Sequence, residues 1–120
     1  MFLALKTIKL SVTKILFFTD VNDGLAKCLL HVYIDSCHDL KAPTTKKRSS
    51  KPSPAVELKV GNGEAQQTIQ QYFDNDPVFE QGFVFSVTNP HSDDLHVKIL
   101  DKGHDDTVIG TTTIITSDIL

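Results

Sequence analysis

The sequence contains no tryptophan, one methionine and only two cysteines, Cys28 and Cys37. Two cysteines cannot build a disulfide framework, and no second pair of metal ligands lies near them, so they read as reduced, small core residues. No apolar run reaches the length of about 18 to 20 residues that a membrane-spanning helix requires. Residues 1–18 are the nearest thing to a leader, but Lys6, Lys9 and Lys14 interrupt them and no small-residue cleavage site follows, which argues against a secretory signal. Also missing is any convincing helical period over three turns. The formal net charge of −3 argues against a dedicated nucleic-acid binder.

What is present is alternation. Leu30, Val32 and Ile34 share one face of the segment around Cys28–Ser36, and Val56, Leu58 and Val60 share one face of the segment that starts at Pro54. A period of two is the mark of strands with one buried side. The same pattern recurs at Ile8, Leu10 and Val12, at Phe83, Phe85 and Val87, at Leu95, Val97 and Ile99, and along the threonine-rich Val108–Ile115. It predicts a central core strand at 78–87 and a polar edge strand around Gln66–Tyr72. Turn signals punctuate the runs: Gly61-Asn62-Gly63, Asp74–Pro77, Asn89–Asp94 and Asp101–Asp106, with a helix start at Thr116. Short strands at this spacing predict an all-β antiparallel sandwich of one domain.

Between the first two of those segments lies a loop of roughly 18 residues, where compact domains mostly use about 4 to 6. Residues 41–52 carry Lys41, Lys46, Lys47, Arg48 and Lys51 and no acid, whereas residues 74–120 carry nine acids against Lys98 and Lys102. A mildly acidic body thus holds out one concentrated positive loop, and local fields outweigh the sum. The plain alternative is a solvated charged face.

Catalytic readings fail on spacing. His31, His38, His91, His96 and His104 are scattered and read as surface or edge residues, and Cys37 and His38, as strand neighbours, point to opposite faces. Asp35 and Asp39 read as turn-forming at a strand end, and the Gly61–Gly63 turn is followed by no helix that could cradle a phosphate. The chain is therefore expected not to be an enzyme and to hold no cofactor.

Several stretches taken together resemble the signatures of a C2 domain. They are Leu29–Leu40, the Pro52-Ser-Pro-Ala-Val-Glu-Leu run, Asn75-Asp-Pro-Val-Phe-Glu-Gln-Gly-Phe-Val-Phe, Leu95–Asp101 and Ile109-Gly110. In the third, Phe79 stands where the family has Trp and Gln81 where it has Glu. The Tyr33-Ile-Asp-Ser run, the Pro-x-Pro-x-Val segment and Asn89-Pro90 resemble the second C2 domain of extended synaptotagmins. The resemblance covers residues 22–120 and leaves 1–21 as an N-terminal extension, with a possible edge strand at 7–16. It implies an eight-stranded Greek-key sandwich whose last strand would follow Leu120, with end loops that meet phospholipid head groups.

It also bears on calcium, which wants six to eight oxygens. The family's aspartates correspond to Thr44 and Ser53 in the first loop, and to Asp101 and Gly103 in the later one. Asp105 and Asp106 are weak additional candidates. One or two carboxylates facing Lys46 and Lys47 would not hold a dication, so calcium binding is not expected, and Asp101, Asp105 and Asp106 read as solvated loop formers. Each Lys or Arg near an anionic leaflet is worth about 1 kcal/mol, so the basic loop could supply a few. The expectation is a cytoplasmic module, peripheral at membranes, docking by Lys41, Lys46, Lys47, Arg48 and Lys51 on anionic phospholipid without calcium. The resemblance would place it at endoplasmic reticulum–plasma membrane contacts within a lipid-transfer tether. The alternative is a calcium-inert module packing against a neighbouring C2 domain or a protein partner.

Overall fold

The computed structural model describes residues 2–4, 7–20, 25–41, 51–87 and 92–118, with side chains described for 7–15 and, from residue 28 on, throughout those ranges. The alternating segments form strands β1 (Phe2–Ala4), β2 (Ile8–Asp20), β3 (Leu25–Cys37), β4 (Pro54–Val60), β5 (Gln66–Gln67), β6 (Val78–Val87), β7 (Leu95–Asp101) and β8 (Thr107–Ile114). They make two four-stranded sheets, ordered β1-β2-β3-β6 and β5-β4-β7-β8. Every neighbouring pair is antiparallel. This is the antiparallel sandwich that the alternation predicts.

The core lies between the sheets. Leu10, Val12, Leu30, Val32, Ile34 and Phe85 on one side and Val56, Leu58, Leu95, Val97 and Ile99 on the other form one buried cluster. Each such side chain stabilises the fold by about 1.5–3 kcal/mol through removal from water. Cys28 and Cys37 are free and buried within it. Burial raises both thiols, that of Cys37 to about 12, so neither offers a thiolate near neutral pH. Phe79 is buried as well.

Several expectations need correcting. The segment 78–87 is not central: β6 is the last strand of its sheet, and Phe83 is only partly buried at the margin of the core. The polar strand expected at Gln66–Tyr72 shrinks to Gln66–Gln67, because beyond it the backbone donors at Gln71 and Asp74 bond to Pro54 and Pro52 rather than to a ladder. Asp35 is not a turn residue. It is skipped in the β2–β3 pairing, where Ser36 faces Lys9 and Ile34 faces Leu10, so it forms a bulge within β3.

The Gly61–Gly63 turn is as expected, with Gly61 at φ +52 and the Gly63 amide donating to Val60. Residues 7–16 fall largely within β2, which pairs with β3 from Ile8 opposite Cys37 to Asp20 opposite Leu25.

Candidate functional site

Three connections meet at one end of the sandwich, and hydrogen bonds stitch them together. The first, between β3 and β4, leaves Cys37 and returns at Pro54. Its outgoing limb is held by the Leu40 amide donating to Asn75 at 2.9 Å and the Asn75 side-chain amide donating back to Leu40 at 2.6 Å. Its returning limb is held by the Asp74 amide on Pro52 at 2.9 Å, the Phe73 amide on the Ser53 hydroxyl at 3.2 Å, and the Lys102 amide on Ser53 at 2.9 Å. The described limbs on either side of residues 42–50 are therefore both fixed to the body.

Lys41 and Lys51, the first and last cations of the basic loop, are both exposed. Neither is in an ion pair with a described acid. Lys46, Lys47 and Arg48 lie outside the described residues, as does Thr44. Around the base of the loop stand Asp39, Asp74 and Asp76. The Asp39 amide donates to Asp76 at 2.9 Å and the Asp76 amide donates to Asp74 at 2.9 Å, so both acceptor carboxylates organise the turns. The electrostatic character of this end is consequently mixed: the loop's cations and Lys102 face Asp39, Asp74 and Asp76, with Asp101, Asp105 and Asp106 on the third connection.

Asp101 overturns its expected role. Instead of being solvated it is completely buried, and one carboxylate oxygen accepts from the Ser53 and Gly103 amides, each at 3.0 Å. The other oxygen lies 2.6 Å from His104 Nδ1. This short contact ties the imidazole to the buried acid. That also corrects the reading of His104 as a plain surface residue: it is half-buried and tied to the acid that caps the 3₁₀ turn Lys102–His104. Asp105 and Asp106 are exposed and left-handed at φ 53 and 56, as loop formers should be, and Asp106 pairs with Lys102 at 3.2 Å.

Ser53 and Gly103 face the buried Asp101 carboxylate, a Cβ on Gly103 would come within 3.3 Å of it, and its Oδ1 already accepts two backbone amides. No group of three His, Cys, Asp or Glu residues that could hold a metal occurs among the described residues.

A scan of family models matches residues 28–120 to the C2 domain. The chain belongs to the C2 domain family. Among curated relatives, this C2 domain is 43% identical to human extended synaptotagmin-2 over 83 residues, which is 69% of the chain and 9% of that protein. Among solved structures it is similar to extended synaptotagmin-2 spanning an SMP domain and two C2 domains, at TM-score 0.68 and 38% identity, covering 83% of this chain and 22% of that one. A calcium-bound structure of the same two C2 domains of extended synaptotagmin-2 superposes at TM-score 0.63 with 33% identity, covering 75% and 30% respectively. The C2 domain thus spans about a tenth of the human relative's length.

Two features of this C2 domain escaped sequence reasoning. Tyr72 and Phe73 are exposed at the stitched end, although an apolar pair after a polar strand reads as its continuation. On the outer face of the second sheet, Lys59 lies opposite His96 and Glu57 opposite Lys98, lining an open groove. Alternation placed these side chains outward but could not pair the strands.

Proposed function

We propose that this C2 domain is a non-enzymatic membrane-targeting module that docks on anionic phospholipid without calcium, within an extended-synaptotagmin-like lipid-transfer tether. In that setting it works in the cytoplasm at endoplasmic reticulum–plasma membrane contacts. The observation that carries the reading is the anchoring of a cation-rich loop at the stitched end, with Lys41 and Lys51 exposed at its two limbs. Kinship with extended synaptotagmin-2 supports the setting. Calcium independence is supported by Ser53 and Gly103 at positions where the family pattern has acids, and by Asp101 already satisfied by protein donors. Binding through so few charges is weak and salt-sensitive, and neighbouring modules would add avidity.

Sedimentation with phosphatidylcholine vesicles, with and without phosphatidylserine or a phosphoinositide, tests the reading. The wild type should pellet with anionic vesicles alone, equally in calcium and in chelator, and less as salt rises. Replacing Lys46, Lys47 and Arg48 by alanine should reduce pelleting, while equal pelleting of variant and wild type refutes the role of the loop. Lys59 and Lys98 lie elsewhere, in the groove they share with Glu57 and His96, and a Lys59→Ala/Lys98→Ala protein separates their contribution.

A second reading has its own observation. Tyr33 and Val84 stay exposed on the outer face of the first sheet, beside Gly82, which suits packing against a neighbouring C2 domain or a protein partner. Loss of such a complex in Tyr33→Ser, with vesicle binding intact, is the result expected of it.

A further inference from the structure

Among the described residues, β6 ends the first sheet: β3 pairs with it on one side and no strand pairs with it on the other. Open edges are commonly guarded by lysine or proline, and Val78–Val87 has neither, with Glu80 its one charge. Glu80 lies at φ +49 beside an irregularity in the pairing with β3, so the regular part of the edge runs from Gln81, opposite Ile34, to Val87, opposite Cys28. The Gln66 side-chain amide donates to the Val84 carbonyl at 3.4 Å, which places the main chain of Val84 on the outer edge. By alternation Gly82 and Ser86 turn the same way. An exposed side-chain amide thus rests, at a long distance, where the N–H of an added strand would bond.

We propose that two copies of the chain pair antiparallel along β6, about a two-fold axis at Val84, and so join their first sheets into one continuous sheet. The contact is made by the strand edge, not by the basic loop or the sheet face, so it stands or falls apart from both readings above. What selects a second copy over an unrelated strand is the register that the axis imposes. Val84 meets Val84 of the second copy, Gly82 meets its Ser86, and Phe83, partly buried at the core margin, meets its Phe85, so the central cross-strand pairs are all apolar or small. Glu80 falls opposite position 88 and never opposite itself. Two copies that each carry a net charge of −3 can approach here, because the shallow pocket beside Gly82 and Val84 is lined by Ser11, Thr13, His31 and Tyr33 and by no acid. A contact of this length is smaller than the standard interface of about 1,600 Å², so the dimer is weak and depends on concentration.

Sedimentation velocity on the full chain should show a coefficient that rises with concentration as monomer passes into dimer. Val84→Lys sets two ammonium groups face to face on the axis and should weaken association by about tenfold or more, while its urea midpoint in dilute solution matches the wild type. Val84→Thr keeps a β-branched side chain and should keep the dimer. Because Cys28 and Cys37 are free and buried, an added surface thiol reports alone. In the proposed pair the two Cα atoms of residue 84 stand about 5.5 Å apart, inside the disulfide range of about 4.4–6.8 Å, so Val84→Cys should cross-link rapidly with copper phenanthroline. Val108, on β8, is 47% exposed against 49% for Val84, so Val108→Cys is the control and should cross-link much more slowly. A wild type that stays monomeric at every concentration, with both cysteine variants cross-linking at one slow rate, refutes the pairing. So does a dimer that Val84→Lys leaves intact, because the contact then lies elsewhere. If the wild type is monomeric and Val84→Lys instead removes a complex with a different protein, the edge receives another chain and self-pairing is refuted.

Discussion

Replacing Asp101 with alanine withdraws the partner of two backbone amides and of His104 at once. The Ser53 amide is buried and has Asp101 as its acceptor at 3.0 Å, the Gly103 amide is part-buried at 3.0 Å, and His104 Nδ1 lies at 2.6 Å. A buried amide left without a partner costs about 1–3 kcal/mol, and a donor that water can reach costs less. Taking the middle of that range for Ser53 and about 1 kcal/mol for the other two together gives a loss of about 3 kcal/mol. With urea slopes of about 1–3 kcal/mol per molar, the unfolding midpoint should drop by about 1–3 M. Asp101→Asn separates acceptor geometry from charge, because its amide oxygen can still take both backbone donors. It should restore at least half of the midpoint loss. An alanine variant whose midpoint stays within about 0.2 M of the wild type would refute the view that this acid is the internal clamp of the loop end.

Other outcomes follow from single contacts. Thr68 is buried, and its hydroxyl accepts from the Val56 amide at 2.9 Å, so Thr68→Val should cost about 1–3 kcal/mol in urea unfolding while Thr68→Ser loses much less. Gly61→Ala meets a left-handed backbone and a Cβ contact of 2.8 Å with the Asp93 carboxyl, and should lower stability by about 1–2 kcal/mol. Burial raises the Cys37 thiol from 9.0 to about 12, so the folded chain keeps a proton that the unfolded chain has lost. Stability should therefore fall as pH rises between those values, and this part of the fall should vanish in Cys37→Ala, as paired urea titrations would show. Thiol reagents at pH 8 should leave both cysteines of the native protein unmodified, since both are buried, and rapid labelling would contradict the fold.

Much of the scaffold can be read locally. The faces Leu30-Val32-Ile34, Val56-Leu58-Val60 and Leu95-Val97-Ile99 alternate cleanly, and each is buried. The spread of Asn75–Phe85 carries the family pattern even with Phe79 in place of Trp, and Phe79 is buried. The concentration of cations between Lys41 and Lys51 needs no coordinates either.

Sequence by itself thus determined the long alternating strands, which face of each is apolar, and where positive charge gathers, since all three are properties of a few consecutive residues. Only the tertiary structure decided that Asp101 is an internal acceptor, because its donor at Ser53 stands 48 residues away and arrives when two loops close on each other. The same holds for Tyr72 and Phe73, whose exposure follows from amides claimed by residues 52–54 and not from any local period. Alternation reports which way a side chain points. What waits there, core, water or a partner for a hydrogen bond, is supplied by chain segments distant in sequence.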